Sequence, residues 1–116
     1  MQFDSNRPIY LQILDSICEQ ILDGKLEPDG RILSVREYGA QLGVNPNTIM
    51  RSYERLTNDG IIYNKRGLGY FVTAGAKKEI KKARKQEFMK QTLPEMFRQM
   101  KLLDITIEDI QKLWQQ

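Results

Sequence analysis

The run from Val44 to Leu56 constrains this chain more than any other stretch. Asn45 stands directly before Pro46, and the pair fixes a helix start. An asparagine N-cap accepts a hydrogen bond from a free backbone N–H of the first turn. A proline at the first helical position gives up an N–H that had no partner there. Ile49, Tyr53 and Leu56 then recur at spacings of four and three, which places them on one face. Asn47, Thr48, Arg51 and Arg55 lie off that face. The helix therefore buries aliphatic and aromatic groups on one side and presents amides, a hydroxyl and guanidinium groups on the other. Those side chains hydrogen-bond base edges and hold phosphates. An ordinary amphipathic helix with a solvated polar face would carry the same pattern, so the flanking sequence has to decide.

Upstream, Pro8 opens a first helix. Ile9, Ile13, Ile17 and Ile21 form an apolar stripe with Tyr10, Leu14 and Leu22 beside it, and Gly24 is a left-handed stop. Its other face carries Asp15, Glu19 and Asp23, so this helix is not expected to lie along a polyanion. Glu27 to Gly30 has turn chemistry, and Arg31 to Leu33 is expected to form a short edge strand. Ser34 and Glu37 have capping-box spacing and start a second helix that runs to about Leu42 and buries Val35, Tyr38 and Leu42. Gly43 ends it, and Val44 leads into the Asn45 cap. Helix, short glycine turn and capped helix make a helix-turn-helix pattern. Downstream, Asp59 and Gly60 stop the third helix. Ile61 to Tyr63 and Tyr70 to Val72 read as two strands around the basic turn Lys65 to Gly69. Such a hairpin after a helix-turn-helix is a wing, and its tip can reach the phosphate backbone or the minor groove.

Composition narrows the function classes. The net charge of +3 is compatible with a polyanionic partner without requiring one. The absence of histidine removes the usual general base and the commonest metal ligand. The single cysteine, Cys18, sits among apolar helical positions and is expected to be a packing residue. No catalytic residues, metal site or cofactor are expected. No secretory signal and no apolar stretch of spanning length stand out, so a cytoplasmic protein with no membrane partner is expected.

From Ala76, past a hinge at Thr73 to Gly75, the composition shifts. Between Lys77 and Lys90, seven cations face Glu79 and Glu87. This run is either a solvated helix face or an addition to a basic surface. Met89, Leu93, Met96, Met100 and Leu103 follow at spacings of four and three, with Phe97 beside them, and little chain remains to cover them. Pro94 should kink or split the helix that carries them. Thr106 and Asp109 form a second capping-box-like start for a last helix bearing Ile107, Ile110, Leu113 and Trp114.

The expected fold is mostly α with a small β-hairpin: a winged helix-turn-helix over residues 1–74, then a two-helix C-terminal dimerisation tail over 75–116. The motifs Pro8–Tyr10, Leu33–Glu37, Val44–Thr48, Leu56, Asp59–Ile62 and Arg66–Val72, in this order, resemble the GntR family of bacterial transcription regulators. The resemblance covers about residues 7–73. The short tail and the opening at Asn45 to Thr48 resemble the YtrA subfamily, which lacks large ligand-binding domains. The resemblance implies a dimeric repressor on an inverted-repeat operator. It implies that Ser34 and Arg36, the helix residues Asn47, Thr48 and Arg51, and Arg66 and Gly67 of the wing contact double-stranded DNA. Asn45 and Lys65 join them from the residue reading. Met89, Leu93, Met96, Phe97, Met100 and Trp114 are the expected dimerisation residues.

The sequence departs from the family pattern at four places. Pro46 and Met50 stand where many relatives have Arg, so a half-site sequence cannot be borrowed from them. Leu33 replaces a usual Pro and Gly39 a usual Ala, neither expected to threaten the fold. The alternative function is a winged-helix protein–protein adaptor. It has no need for cations on the second helix, the third helix and the wing together. The tail is too short to enclose an obvious effector pocket, so a small-molecule effector is left unassigned.

Overall fold

A computed structural model describes residues Met1–Gln116. Six helices and one hairpin follow in order: α1 Ile9–Leu22, α2 Val35–Leu42, α3 Pro46–Asn58, β1 Ile62–Lys65, β2 Gly69–Val72, α4 Ala76–Glu87, α5 Leu93–Leu102 and α6 Ile107–Trp114. The chain forms two compact units, Met1–Lys81 and Lys82–Gln116.

In the first unit, α1 and α3 meet through the residues their periodicity selects. Ile13, Ile17, Cys18 and Ile21 from α1 and Ile49, Tyr53 and Leu56 from α3 are all buried. Ile9, the first residue of the expected stripe, stays 41% exposed because it opens the helix beyond the edge of this core. Val35, Tyr38 and Leu42 of α2 pack against the core while remaining half-buried. Ile61, Ile62 and Val72 of the hairpin close one side. Each of these large side chains, when fully buried, contributes about 1.5–3 kcal/mol. The core continues into α4, where Ala76 and Ile80 are buried. Thr73 to Gly75 is thereby tied down rather than hinge-like. The Thr73 N–H donates to Ile61 O, and the Ala76 N–H donates to Thr73 O.

Gly43 takes a left-handed conformation, φ +67°, at the C-cap of α2, as a helix-to-helix turn requires. Gly39 has a different role. A Cβ there would lie 2.8 Å from Val44 O and 3.6 Å from the Pro46 Cα. Glycine thus lets α2 approach the turn closely, and the Val44 N–H donates to Gly39 O. Overpacking of this kind costs ~1–3 kcal/mol, against ~1 kcal/mol of helix propensity that alanine regains. Gly39→Ala is expected to lower the unfolding midpoint in urea, with a net loss of up to about 2 kcal/mol. An unchanged or raised midpoint would mean that the turn yields.

The hairpin is antiparallel, with Ile62 opposite Val72 and Lys65 opposite Gly69. The edge strand expected at Arg31–Leu33 contracts to a single antiparallel bridge, Arg31 to Phe71. The Ile32 N–H donates to Tyr70 O and the Val72 N–H to Gly30 O. The connector thus lines the side of β2 away from β1 for one pair only.

In the second unit, Pro94 acts as its chemistry requires. It has no N–H, and its ring would strike the carbonyl four residues back. A π-helical turn over Phe88–Thr92, in which the Leu93 N–H donates to Phe88 O, separates α4 from α5. Widened turns of this kind absorb such interruptions. α6 starts on a full capping box: Thr106 Oγ1 accepts from the Asp109 N–H at 3.2 Å, and Asp109 Oδ2 accepts from the Thr106 N–H at 2.9 Å.

Candidate nucleic-acid interface

Three elements of the first unit present the expected contact residues. The start of α3 is built as its sequence demands. Asn45 Oδ1 accepts from the Asn47 N–H at 2.9 Å, and Pro46 follows at the first helical position. The Asn45 oxygen is therefore committed to the cap, and its NH2 group remains to donate. Asn47 and Arg51 are exposed, and Thr48 is half-buried. The Arg51 guanidinium lies 3.9 Å from the centroid of the Tyr10 ring. A cation over an aromatic face is attracted and loses freedom. The ring thus holds the guanidinium plane before any ligand arrives, while its N–H groups stay available.

Ser34 and Arg36 stand at the start of α2. The Ser34 hydroxyl accepts from the Glu37 N–H at 3.1 Å, and Glu37 Oε1 accepts from the Ser34 N–H at 3.0 Å. The hydroxyl hydrogen of Ser34 remains free to donate to an anion. The Ser34 backbone N–H holds the Glu37 carboxyl below its ordinary pKa, with the serine side chain and Arg31 adding to the effect. Arg36 is exposed.

The wing tip carries Lys65, Arg66 and Gly67, all exposed. Gly67, at φ +80°, supplies the left-handed residue that the tight turn needs. The Leu68 N–H donates to Lys65 O across that turn. Lys65 Nζ lies 5.8 Å from the centroid of the Phe71 ring.

Side chains to which the local patterns gave no role at this site join these elements. Arg31 donates through Nε to Leu68 O at 3.2 Å and pairs through Nη2 with Glu37 Oε1 at 3.5 Å. It thereby ties the wing turn to the start of α2. Tyr70 of β2 lies beside Met50 of α3, its hydroxyl 3.9 Å from the sulfur. Ser52, fully buried, donates to Tyr10 O at 2.7 Å and locks α3 against α1. Tyr53 donates to Leu33 O at 2.6 Å and meets Tyr38 and Tyr70 edge-on, at centroid separations of 6.4 and 5.0 Å. Burial raises its phenol pKa well above the ordinary value, with Tyr38 and Tyr70 adding to the shift. Apart from the Arg31–Glu37 pair, six residues apart, these contacts join segments fifteen or more positions apart, where no local window shows them.

The expected dimerisation residues lie in the second unit. Met89, Met96 and Phe97 are 54, 38 and 38% exposed, Leu93 is half-buried, and Trp114 is 88% exposed. Met100 differs: it is only 6% exposed, so its side chain is already covered within one copy. No helix is long and apolar enough to cross a membrane. No group of three or more His, Cys, Asp or Glu side chains is placed to hold a metal ion.

The family described as bacterial regulatory proteins, gntR family, matches residues 9–72. The chain is 39% identical over 109 residues to the uncharacterised HTH-type transcriptional regulator YhcF of Bacillus subtilis, covering 94% of this chain and 88% of that protein. It is 38% identical over 73 residues to the HTH-type transcriptional repressor YtrA of the same organism, covering 63% of this chain and 56% of the repressor. A GntR-family protein from Bacteroides thetaiotaomicron shares the fold at a TM-score of 0.78 and 51% identity, over 91% of this chain and 92% of that one. The DNA-binding domain of AraR, solved with the operator ORR3, matches at a TM-score of 0.57 and 32% identity, over 63% of this chain and 88% of that one. With its winged helix-turn-helix and these relatives, the chain belongs to the GntR family of bacterial regulatory proteins.

Proposed function

We propose that this chain is a cytoplasmic transcriptional repressor that binds an inverted-repeat operator as a homodimer. The first unit, which runs to Lys81 rather than to the expected boundary at residue 74, forms the reader, and the tail beyond it pairs two copies. The observation that carries the reading is the convergence of three cation-bearing elements in one unit. Arg31 ties the wing turn to the start of α2, and Tyr70 sets β2 beside Met50 of α3. The start of α3 enters the major groove. Asn47, Thr48 and Arg51 meet base edges, with Asn45 beside them. Ser34 and Arg36 hold phosphates flanking the groove, and Lys65, Arg66 and Gly67 reach the backbone or the minor groove. AraR was solved on its operator, and YtrA is a repressor by name, which supports the assignment by likeness. An adaptor would not need Arg36, Arg51, Lys65 and Arg66 on three converging elements.

Selection of bound duplexes from a random pool tests this reading. The expected product is an inverted repeat with half-sites about 10 base pairs apart, or somewhat more if the tails splay the heads. No enrichment would overturn it.

Arg51→Ala and Arg66→Ala should differ in kind. Arg51→Ala is expected to cost about 1–3 kcal/mol on the operator and to relax specificity. Arg66→Ala should weaken operator and scrambled DNA alike, since a phosphate contact carries no sequence. Affinities on both duplexes decide it, and equal losses for Arg51→Ala would remove the base-reading role.

A further inference from the structure

From Phe88 onward the second unit carries an apolar surface that one copy leaves open. In this unit ten large apolar side chains are at least 37% exposed, and Trp114 at 88% is the extreme. A fully buried aromatic side chain removes about 150–250 Å2 from water. A stable interface buries about 800 Å2 per partner, an area within reach of ten partly exposed side chains of which Phe88, Phe97 and Trp114 are aromatic.

α6 has one apolar face. Ile107 and Trp114 are seven residues apart, two full turns along the same side, with Ile110 between them and Leu113 at the edge. Beside Ile107 lies a cleft of about 350 Å3 lined by Phe97, Met100, Lys101, Ile105, Thr106 and Ile107. Trp114 cannot fill the cleft of its own chain, because seven residues of helix carry it about 10 Å further along the axis.

A second copy of the chain places it there. If two α6 helices cross antiparallel about a two-fold axis between Ile110 and Gln111, position 107 of each meets position 114 of the other. Such an axis makes the contact self-complementary. We propose that Trp114 of each subunit seats in its partner's cleft between α5 and α6, so that each cleft is completed only by the other chain. This rests on the reading that the tail pairs two copies, and it names the anchor of that pairing.

The cleft has the chemistry an indole needs. An apolar cavity of about 150 Å3 accepts benzene, so one more than twice as large admits a bicyclic ring. Phe97, Met100, Ile105 and Ile107 line it with apolar and sulfur surface. Lys101 can set its ammonium over the ring face. The Thr106 hydroxyl is the one side-chain oxygen on the wall. It already accepts from the Asp109 N–H and keeps a lone pair for the indole N–H.

Trp114 is the only tryptophan in the sequence, so the emission of the full chain reports this site alone. On dilution through the dimer dissociation constant, emission should move from a blue-shifted, quencher-protected form to the water-exposed form. Trp114→Ala should raise that constant about thirty-fold, the scale of an interface hot spot. Ile107→Glu, on an exposed position of the cleft rim, should do the same and expose Trp114. Mixing the two variants is the decisive arm. The heterodimer keeps one intact tryptophan and one intact cleft, which neither parent homodimer has, so dimer and blue-shifted emission should return. A wild-type dimer whose emission stays water-exposed would overturn the seating of Trp114 while leaving tail pairing intact. A chain that sediments as a monomer at every concentration would overturn both.

Discussion

Ending the chain after Lys82 is expected to lower affinity for an inverted-repeat operator by about 10²–10⁴-fold, the range by which linking two modules exceeds either alone. The cut is placed there because Ala76 and Ile80 belong to the core of the first unit. A cut after Thr73 would remove both and confuse unfolding with loss of pairing. The shortened chain retains Arg36, Arg51, Lys65 and Arg66, together with Lys77 and Lys78. If three or four of these meet phosphates, a dimer neutralises roughly six to eight, and log affinity should fall against log salt with a slope of about −5 to −7. The shortened monomer should show about half that slope. The acidic face of α1 should contribute nothing to either. Salt titrations of both chains on the full operator and on a single half-site measure all of this. If the shortened chain kept the full affinity and slope, pairing would belong to the head and not to the tail.

Tyr53→Ala is expected to destabilise the first unit by about 3–5 kcal/mol, as truncation of a buried aromatic does. That is a large share of the roughly 5–15 kcal/mol that holds a domain together. The side chain is fully buried, packs against two other tyrosines and donates to Leu33 O at 2.6 Å. It therefore joins α3 to α2, to β2 and to the connector that leads into the Ser34 cap. Tyr53→Phe separates the ring from the hydroxyl. It keeps the packing but leaves the Leu33 carbonyl without this donor, for a loss of about 1–3 kcal/mol. Unfolding in urea ranks the two variants. If Tyr53→Phe cost as much as Tyr53→Ala, the hydrogen bond rather than the packing would dominate.

Helix and turn boundaries in this protein were legible because their causes are local. Asn45 and Pro46 begin α3, Ser34 with Glu37 begins α2, and Thr106 with Asp109 begins α6, each through groups within three residues of one another. The apolar spacings of α1 and α3 picked out most of the core, since a helix repeats its face every three to four residues. Pro94 announced an interruption, but only the folded backbone showed that a π turn over Phe88–Thr92 absorbs it. The proposed contact residues were named by their chemistry at the start of a capped helix and at a basic turn. Their arrangement was not legible, because Arg31 reaches Leu68 thirty-seven positions away, Ser52 reaches Tyr10 over forty-two, and Arg51 stacks on Tyr10. Gly39 looked like a neutral departure from alanine until Val44 O was found against its missing Cβ. Met100 shared its spacing with exposed neighbours and is nevertheless buried. Periodicity assigns a residue to a face of its own helix, whereas burial depends on which other segment covers that face. That choice is made by long-range packing, which leaves no mark on the local order of residues.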